Sequence, residues 1–211
     1  HYSGLALTSA VIVYSIALVF FAVDLANRTS DSAHTGRTRS VNIGFALTVL
    51  GFLLHGTATV LRGIAAERVP WANMYEFSLT ATLAAVLIFI VVQVFVDLRF
   101  LGALVTGLVV LFLMVTRINY YVPIVPLQDS LNSYWLVIHI IVAVLAVGMF
   151  TLSFGLSVLQ LLQTRRARIE AATGQSAMRI LRGFPEPERL ENLAYRLAII
   201  GFVFWTFTLI A

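Results

Sequence analysis

Six stretches of the chain are almost continuously apolar, at about 3–23, 43–61, 77–96, 100–115, 134–162 and 193–211, and polar stretches separate them. An α-helix rises 1.5 Å per residue, so roughly 20 apolar residues cross a hydrocarbon core of about 30 Å. Each stretch therefore predicts a membrane-spanning helix. Together they predict an all-α, polytopic bundle of six helices forming a single transmembrane domain over 1–211. The stretch 100–115 is short for a span. It is expected to recruit residues 116–120 or to thin the bilayer locally. The stretch 134–162 is long enough to tilt or project. All five prolines, Pro70, Pro123, Pro126, Pro185 and Pro187, fall between the apolar runs, which leaves the helices uninterrupted. The polar segment 163–190, with its Gly-Gln-Ser and Pro-Glu-Pro stretches, reads as a solvated and partly helical cytoplasmic connector.

Composition agrees with this pattern: 60% of residues are hydrophobic and 11% charged, far from a soluble domain. The 14 basic residues are all arginine, and the net charge is +4. In a membrane protein such an excess sets orientation and does not suggest a nucleic-acid partner. Arg28, Arg37, Arg39, Arg99, Arg165, Arg166, Arg168, Arg179, Arg182, Arg189 and Arg196 fall on one side of the predicted bundle, and only Arg62, Arg68 and Arg117 on the other. The first side is expected to be cytoplasmic. The N-terminus and the loops 66–74 and 117–133 are then outside.

The absence of cysteine excludes disulfides, thiolate metal sites and covalent thioethers within the chain. There is no Gly-rich phosphate loop, no Ser/His/Asp set and no pair of acids at catalytic spacing. Nothing resembles a cleavable signal peptide. The chain opens at His1 and stops at Ala211 inside an apolar run, so a piece of a longer protein is expected.

The few ionisable groups in or beside the apolar runs are then informative, because such groups are costly in a bilayer. His139, in SYWLVIHIIVA, lies about one and a half turns into the fifth helix, with Trp135 four residues before it on the same side. A neutral imidazole in a dry site is a good ligand for haem iron, but position alone favours a histidine hydrogen-bonded to a neighbouring helix. His55, in GFLLHGTATVLRG, carries Thr59 and Arg62 on its own face. It suits a haem whose propionates point outward, although an ordinary inter-helix hydrogen bond is the favoured reading of it. His1 and His34 are expected to be solvated.

Arg62, Arg68 and Arg117 stand where the orientation rule disfavours arginine. They are candidates for holding propionate carboxylates or for snorkelling to lipid phosphates. Asn73 and Glu76, in RVPWANMYEFSL, open the third helix. Capping accounts for both. A sharper expectation is that Glu76 pairs with Arg62 or Arg68 and fixes the outer ends of helices two and three. Trp71, Tyr75, Tyr120, Tyr121, Tyr134 and Trp135 lie at the same rim, as an aromatic belt would.

Three stretches, RVPWANMYEFSL, VPIVPLQDSLNSYWLVIHIIVAVLAVGMF and ENLAYRLAIIGFVFWTFTLIA, occur in an order that resembles the CcsA/ResC-type membrane subunit of the system II cytochrome c synthetase. The likeness runs from about the second helix to the end of the chain. It implies a multi-pass protein of the plasma (cytoplasmic) membrane that binds haem b, as substrate and bound ligand. Such a protein presents the haem outside for thioether attachment to apocytochrome c. The implied partners are a ResB/CcsB-type membrane subunit, apocytochrome c and a thiol-reducing protein outside the membrane, besides the lipid bilayer. His139 matches the first of the family's two external histidines. The family's Trp-rich loop, its second external histidine and its later membrane histidine have no counterpart, which implies truncation before that loop. Two other readings stay open. One is a membrane b-type cytochrome with His55 and His139 on one haem. The other is a cofactor-free small-molecule transporter, against which the lack of helix-breaking prolines counts.

Overall fold

The structure is a computed structural model, and it describes residues 2–30, 39–123, 134–174, 181 and 184–210. All regular structure among them is helical: α1 (Tyr2–Ser30), α2 (Arg39–Ala66), α3 (Met74–Val92), α4 (Gly102–Asn119, entered through a 3-10 turn at Arg99–Leu101), α5 (Tyr134–Thr173) and α6 (Pro187–Ile210). Each of the six is long and apolar enough to cross a membrane.

The helix ends differ from the apolar runs where polarity and helicity part company. The third run reaches residue 96, yet α3 stops at Val92. Val94 and Phe95 turn instead, and the Gln93 side chain accepts the Leu98 backbone N–H at 3.0 Å, so the chain reverses at once into α4. At its other end α4 continues through Thr116 and Arg117 to Asn119. Its 18 residues span about 27 Å, close to the hydrocarbon thickness. The fifth helix continues eleven residues past Leu162, to Thr173. Gln, Arg, Ala and Glu are good helix formers that simply do not belong in lipid, and Arg166 pairs with Glu170 one turn on, at 3.5 Å.

The helices α1, α2, α3 and α4 pack in a ring, each against the next, with α4 closing onto α1. The helix α5 docks outside this ring, chiefly on α3, and α6 packs on α5. Contacts set the directions. Tyr14 of α1 meets Gly51 and His55 of α2, and Phe21 meets Gly44, so α1 and α2 are antiparallel. Trp71 and Phe77 cluster with Leu136 and Ile140, so α3 and α5 start together. Further along the same contact, a Cβ at Gly148 would lie 3.3 Å from the Ala85 Cα and closer still to the Ile88 side chain. Small residues let the two backbones approach where apolar burial gives no driving force. The start of α6 is tied to α5 by one buried side chain. Gln163 donates through Nε2 to the carbonyls of Leu181 (2.9 Å), Phe184 (3.2 Å) and Pro185 (3.0 Å).

One end of the bundle thus gathers the start of α1, the end of α2, the starts of α3 and α5 and the end of α4. It is called the mouth below.

Candidate functional site

The mouth is built by the short link from α2 to α3. The helix α2 ends in a Schellman turn: Arg68 N–H donates to the Gly63 carbonyl and Glu67 N–H to the Ile64 carbonyl, each at 3.2 Å. The turn requires a left-handed residue, and Glu67 takes that role at φ 53°. The chain is thereby thrown back over the end of α2, with Arg68 beside Arg62. Asn73 is the N-cap of α3, extended at φ −147°, and its side-chain oxygen accepts the Glu76 N–H at 2.9 Å.

Glu76 is fully buried. Its carboxylate accepts four hydrogen bonds. Arg62 Nε reaches Oε1 at 3.0 Å and Arg68 Nη2 reaches it at 3.4 Å. Arg68 Nη1 reaches Oε2 at 2.7 Å and the Ala72 N–H reaches it at 3.0 Å. That fills a carboxylate's acceptor capacity, which is what makes a charge tolerable at this burial. Arg62 is itself only 5% exposed. It also donates through Nη2 to the Val122 carbonyl at 2.8 Å, so the segment after α4 is fastened to the same group. Both arginines bind Glu76 together, where the sequence offered one or the other. The carboxylate takes donors from each, which narrows what they have left for an external anion. Arg117 lies apart from this group, stacked over Tyr121 at 4.8 Å.

His139 sits near the start of α5, half-buried, one turn after the exposed Trp135. It makes no hydrogen bond to another described residue. Through the α3–α5 contact it shares the mouth end with Glu76.

His55 lies deeper and on a different side. It is fully buried, and Tyr14 crosses its ring edge-on at 6.2 Å. Neither imidazole nitrogen has a hydrogen-bond partner, although the Leu79 backbone of α3 approaches the ring outside that geometry. The Tyr14 hydroxyl is equally without a partner. Thr59 and Arg62 do share the His55 face and are buried with it; Thr59 donates to the His55 carbonyl at 3.0 Å. The structure thus adds Tyr14, which sequence reasoning missed. A tyrosine in an apolar run reads as core, and only the pairing of α1 with α2 brings it onto the histidine. His55 and His139 are not brought together. His55 belongs to the contact of α2 with α1 and α3, whereas α5 reaches the ring mainly through α3. Among the described residues no cluster of three His, Cys, Asp or Glu side chains could hold a metal ion.

No curated protein matches the chain in sequence. The profile of the cytochrome C assembly protein family matches residues 71–211, which is 141 of the 211 residues. The match begins at Trp71, takes in Asn73, Glu76 and His139, and leaves out α1 and α2. A six-helix, membrane-type bundle whose greater part carries this profile belongs to the cytochrome c assembly protein family.

Proposed function

We propose that this chain, as a member of an assembly family with a role in cytochrome c biogenesis, binds haem b as its substrate and presents it at the mouth for attachment to apocytochrome c. The observation that carries the reading is His139: an imidazole with no described partner, partly open, at the rim of a bundle whose other described histidine is enclosed. Its donor chemistry fits haem iron, because a neutral imidazole nitrogen supplies a lone pair without adding charge. Trp135, one turn nearer the rim, offers a flat wall beside it. The clamp of Glu76, Arg62 and Arg68 holds the mouth ends of α2 and α3 rigid. Arg68, with the net positive charge of the rim, favours propionate carboxylates nearby. Haem supplies the vinyl groups to which cysteine thiols add, each S–C bond forming as the thiol hydrogen passes to the other vinyl carbon, with no net oxidation. What this chain contributes is position: it holds a reactive edge toward an incoming CXXCH segment.

In this reading the N-terminal side of the bundle faces outside. The work is shared with a ResB/CcsB-type membrane subunit as part of a cytochrome c synthetase, and a thiol-reducing protein keeps the apocytochrome cysteines available. The electron-transfer alternative needs His55 and His139 on one haem. It is disfavoured because α3 stands between their helices, and because Tyr14 would have to leave His55 before a porphyrin could approach.

The test is the absorption spectrum of the intact protein, purified with its membrane partner, beside His139→Gly and His55→Ala. The Soret band should weaken or shift in His139→Gly, with loss of holocytochrome c output, and added imidazole should restore the band. An unchanged spectrum and output in His139→Gly would make His139 a packing residue. Loss of the band in His55→Ala alone would move the ligand into the ring.

A further inference from the structure

A second feature of the mouth lies among the ends of α1, α2 and α4. A cavity of about 600 Å³ opens there, and no residue of α5 or α6 lines it. One wall is cationic and aromatic. Arg62 stacks over Tyr75 at 5.1 Å, Tyr75 meets Tyr121 edge-on at 5.4 Å, and Arg117 stacks over Tyr121 at 4.8 Å. Arg117 also lies beside the Tyr75 side chain, so both guanidinium groups border the same pair of rings. Arg62 is nine-tenths buried and lines the cavity. Its Nε and Nη2 are taken by Glu76 and Val122, and its Nη1 carries no hydrogen bond to a described residue. Among the described residues positive charge is in excess as well. Glu76 neutralises one of the two arginines it binds, and Arg117 adds another positive charge.

The other wall is apolar and reaches the outer surface of the bundle. Leu5 is 56% exposed and Ile64 67% exposed, and both line the cavity. Arg62 stands in the last turns of α2 and Arg117 in the last turn of α4, opposite the first turn of α1. These are the depths at which a spanning helix leaves hydrocarbon and meets headgroups. An occupant therefore needs a compact anion for the arginines and an apolar body that continues into the membrane. Among the described residues that line the cavity there is no histidine to ligate iron.

We propose that this cavity binds one anionic phospholipid. Arg62 and Arg117 donate to its phosphodiester oxygens, and its acyl chains run out along Leu5 and Ile64; Ser3 and Thr8 only line the cavity, since their hydroxyl hydrogens go to the Ala58 and Gly4 carbonyls. The bound lipid fills the gap between α1 and α4 at the mouth and keeps the charged face of the clamp supplied with a counter-anion. The inference stands apart from the haem-presenting reading, because lipid retention is measured without haem.

The experiment is native mass spectrometry of the intact protein, released from detergent after addition of dioleoylphosphatidylglycerol. The wild type is compared with Arg117→Gln, Arg117→Lys and Thr8→Trp, the last filling the cavity from α1. One lipid should stay bound to the wild type at collision energies that strip the rest. Retention should fall about tenfold in Arg117→Gln and Thr8→Trp, and Arg117→Lys should keep part of it. Millimolar inorganic phosphate should not displace the lipid. Equal retention in the wild type and both loss variants would reduce the lipid to an ordinary belt and overturn the proposal. Complete displacement by phosphate would assign the cavity to a free anion. Displacement by added haem, with loss of haem binding in Arg117→Gln, would make it a porphyrin carboxylate site. Either of these two results also overturns the proposal. Unfolding temperatures near that of the wild type in Thr8→Trp and Arg117→Lys tie the readout to the cavity.

Discussion

Arg62 and Glu76 meet through a single Nε–Oε1 hydrogen bond of 3.0 Å, both almost wholly out of solvent, fourteen residues apart across the end of one helix and the start of the next. Removing the anion leaves two buried guanidinium groups facing each other, and breaking one side of a buried pair typically costs about 3–5 kcal/mol. Glu76→Gln is expected to destabilise the protein on that scale, and Arg68→Lys by less, because it keeps the charge and loses the second donor. Unfolding curves in detergent micelles check both. A Glu76→Gln protein as stable as the wild type would make the clamp dispensable.

Glu67 holds the left-handed position of the Schellman turn, where a side chain costs roughly 1 kcal/mol relative to glycine. Its side chain is exposed. Glu67→Gly should therefore raise stability by up to about 1 kcal/mol and leave the Arg68–Glu76 contact in place. A clear loss of stability would show that the carboxylate, and not the backbone alone, matters there.

The contact of Tyr14 with α2 makes two opposite predictions. A Cβ at Gly51 would lie 2.7 Å from the Tyr14 ring, so Gly51→Ala should cost about 1–3 kcal/mol. The Tyr14 hydroxyl has no partner, so Tyr14→Phe should be neutral or mildly stabilising. Gly51→Ala combined with Tyr14→Leu should cost less than the sum of the single changes. Simple additivity would mean that the ring does not set the α1–α2 spacing.

Orientation can be read directly, because the chain has no cysteine of its own. Tyr121→Cys at the mouth should react with a membrane-impermeant maleimide in whole cells. Thr173→Cys, at the far end of α5, should react only after permeabilisation. The reverse labelling pattern would invert the outer-face reading.

The six helices were legible because lipid demands continuous apolar runs, and no other fold explains six of them. Glu76 was legible because its partners are near in sequence, and short links leave few alternatives. Where the helices stop was less legible. The polar turns after Leu162 remain helical, since hydropathy reports where the bilayer ends and not where the hydrogen-bonding ladder does. Gln163 went unread for a related reason: its three carbonyl partners belong to the approach to α6, and nothing local announces them. The surroundings of His55 and His139 depend on which helices neighbour which. A bundle of six similar apolar helices encodes that only through small-residue contacts such as Gly51 with Tyr14 and Gly148 with Ala85.

The clamp at the mouth also has a place in time. It closes links of only 8 and 14 residues, whereas α5 has to return to α3 across the whole of α4 and the segment after it. Short links close at small entropic cost and early. The hairpin of α2 and α3 is therefore able to lock as soon as the third helix enters the membrane, while the later helices are still being synthesised. The rim beside which His139 comes to lie would then be standing before His139 arrives.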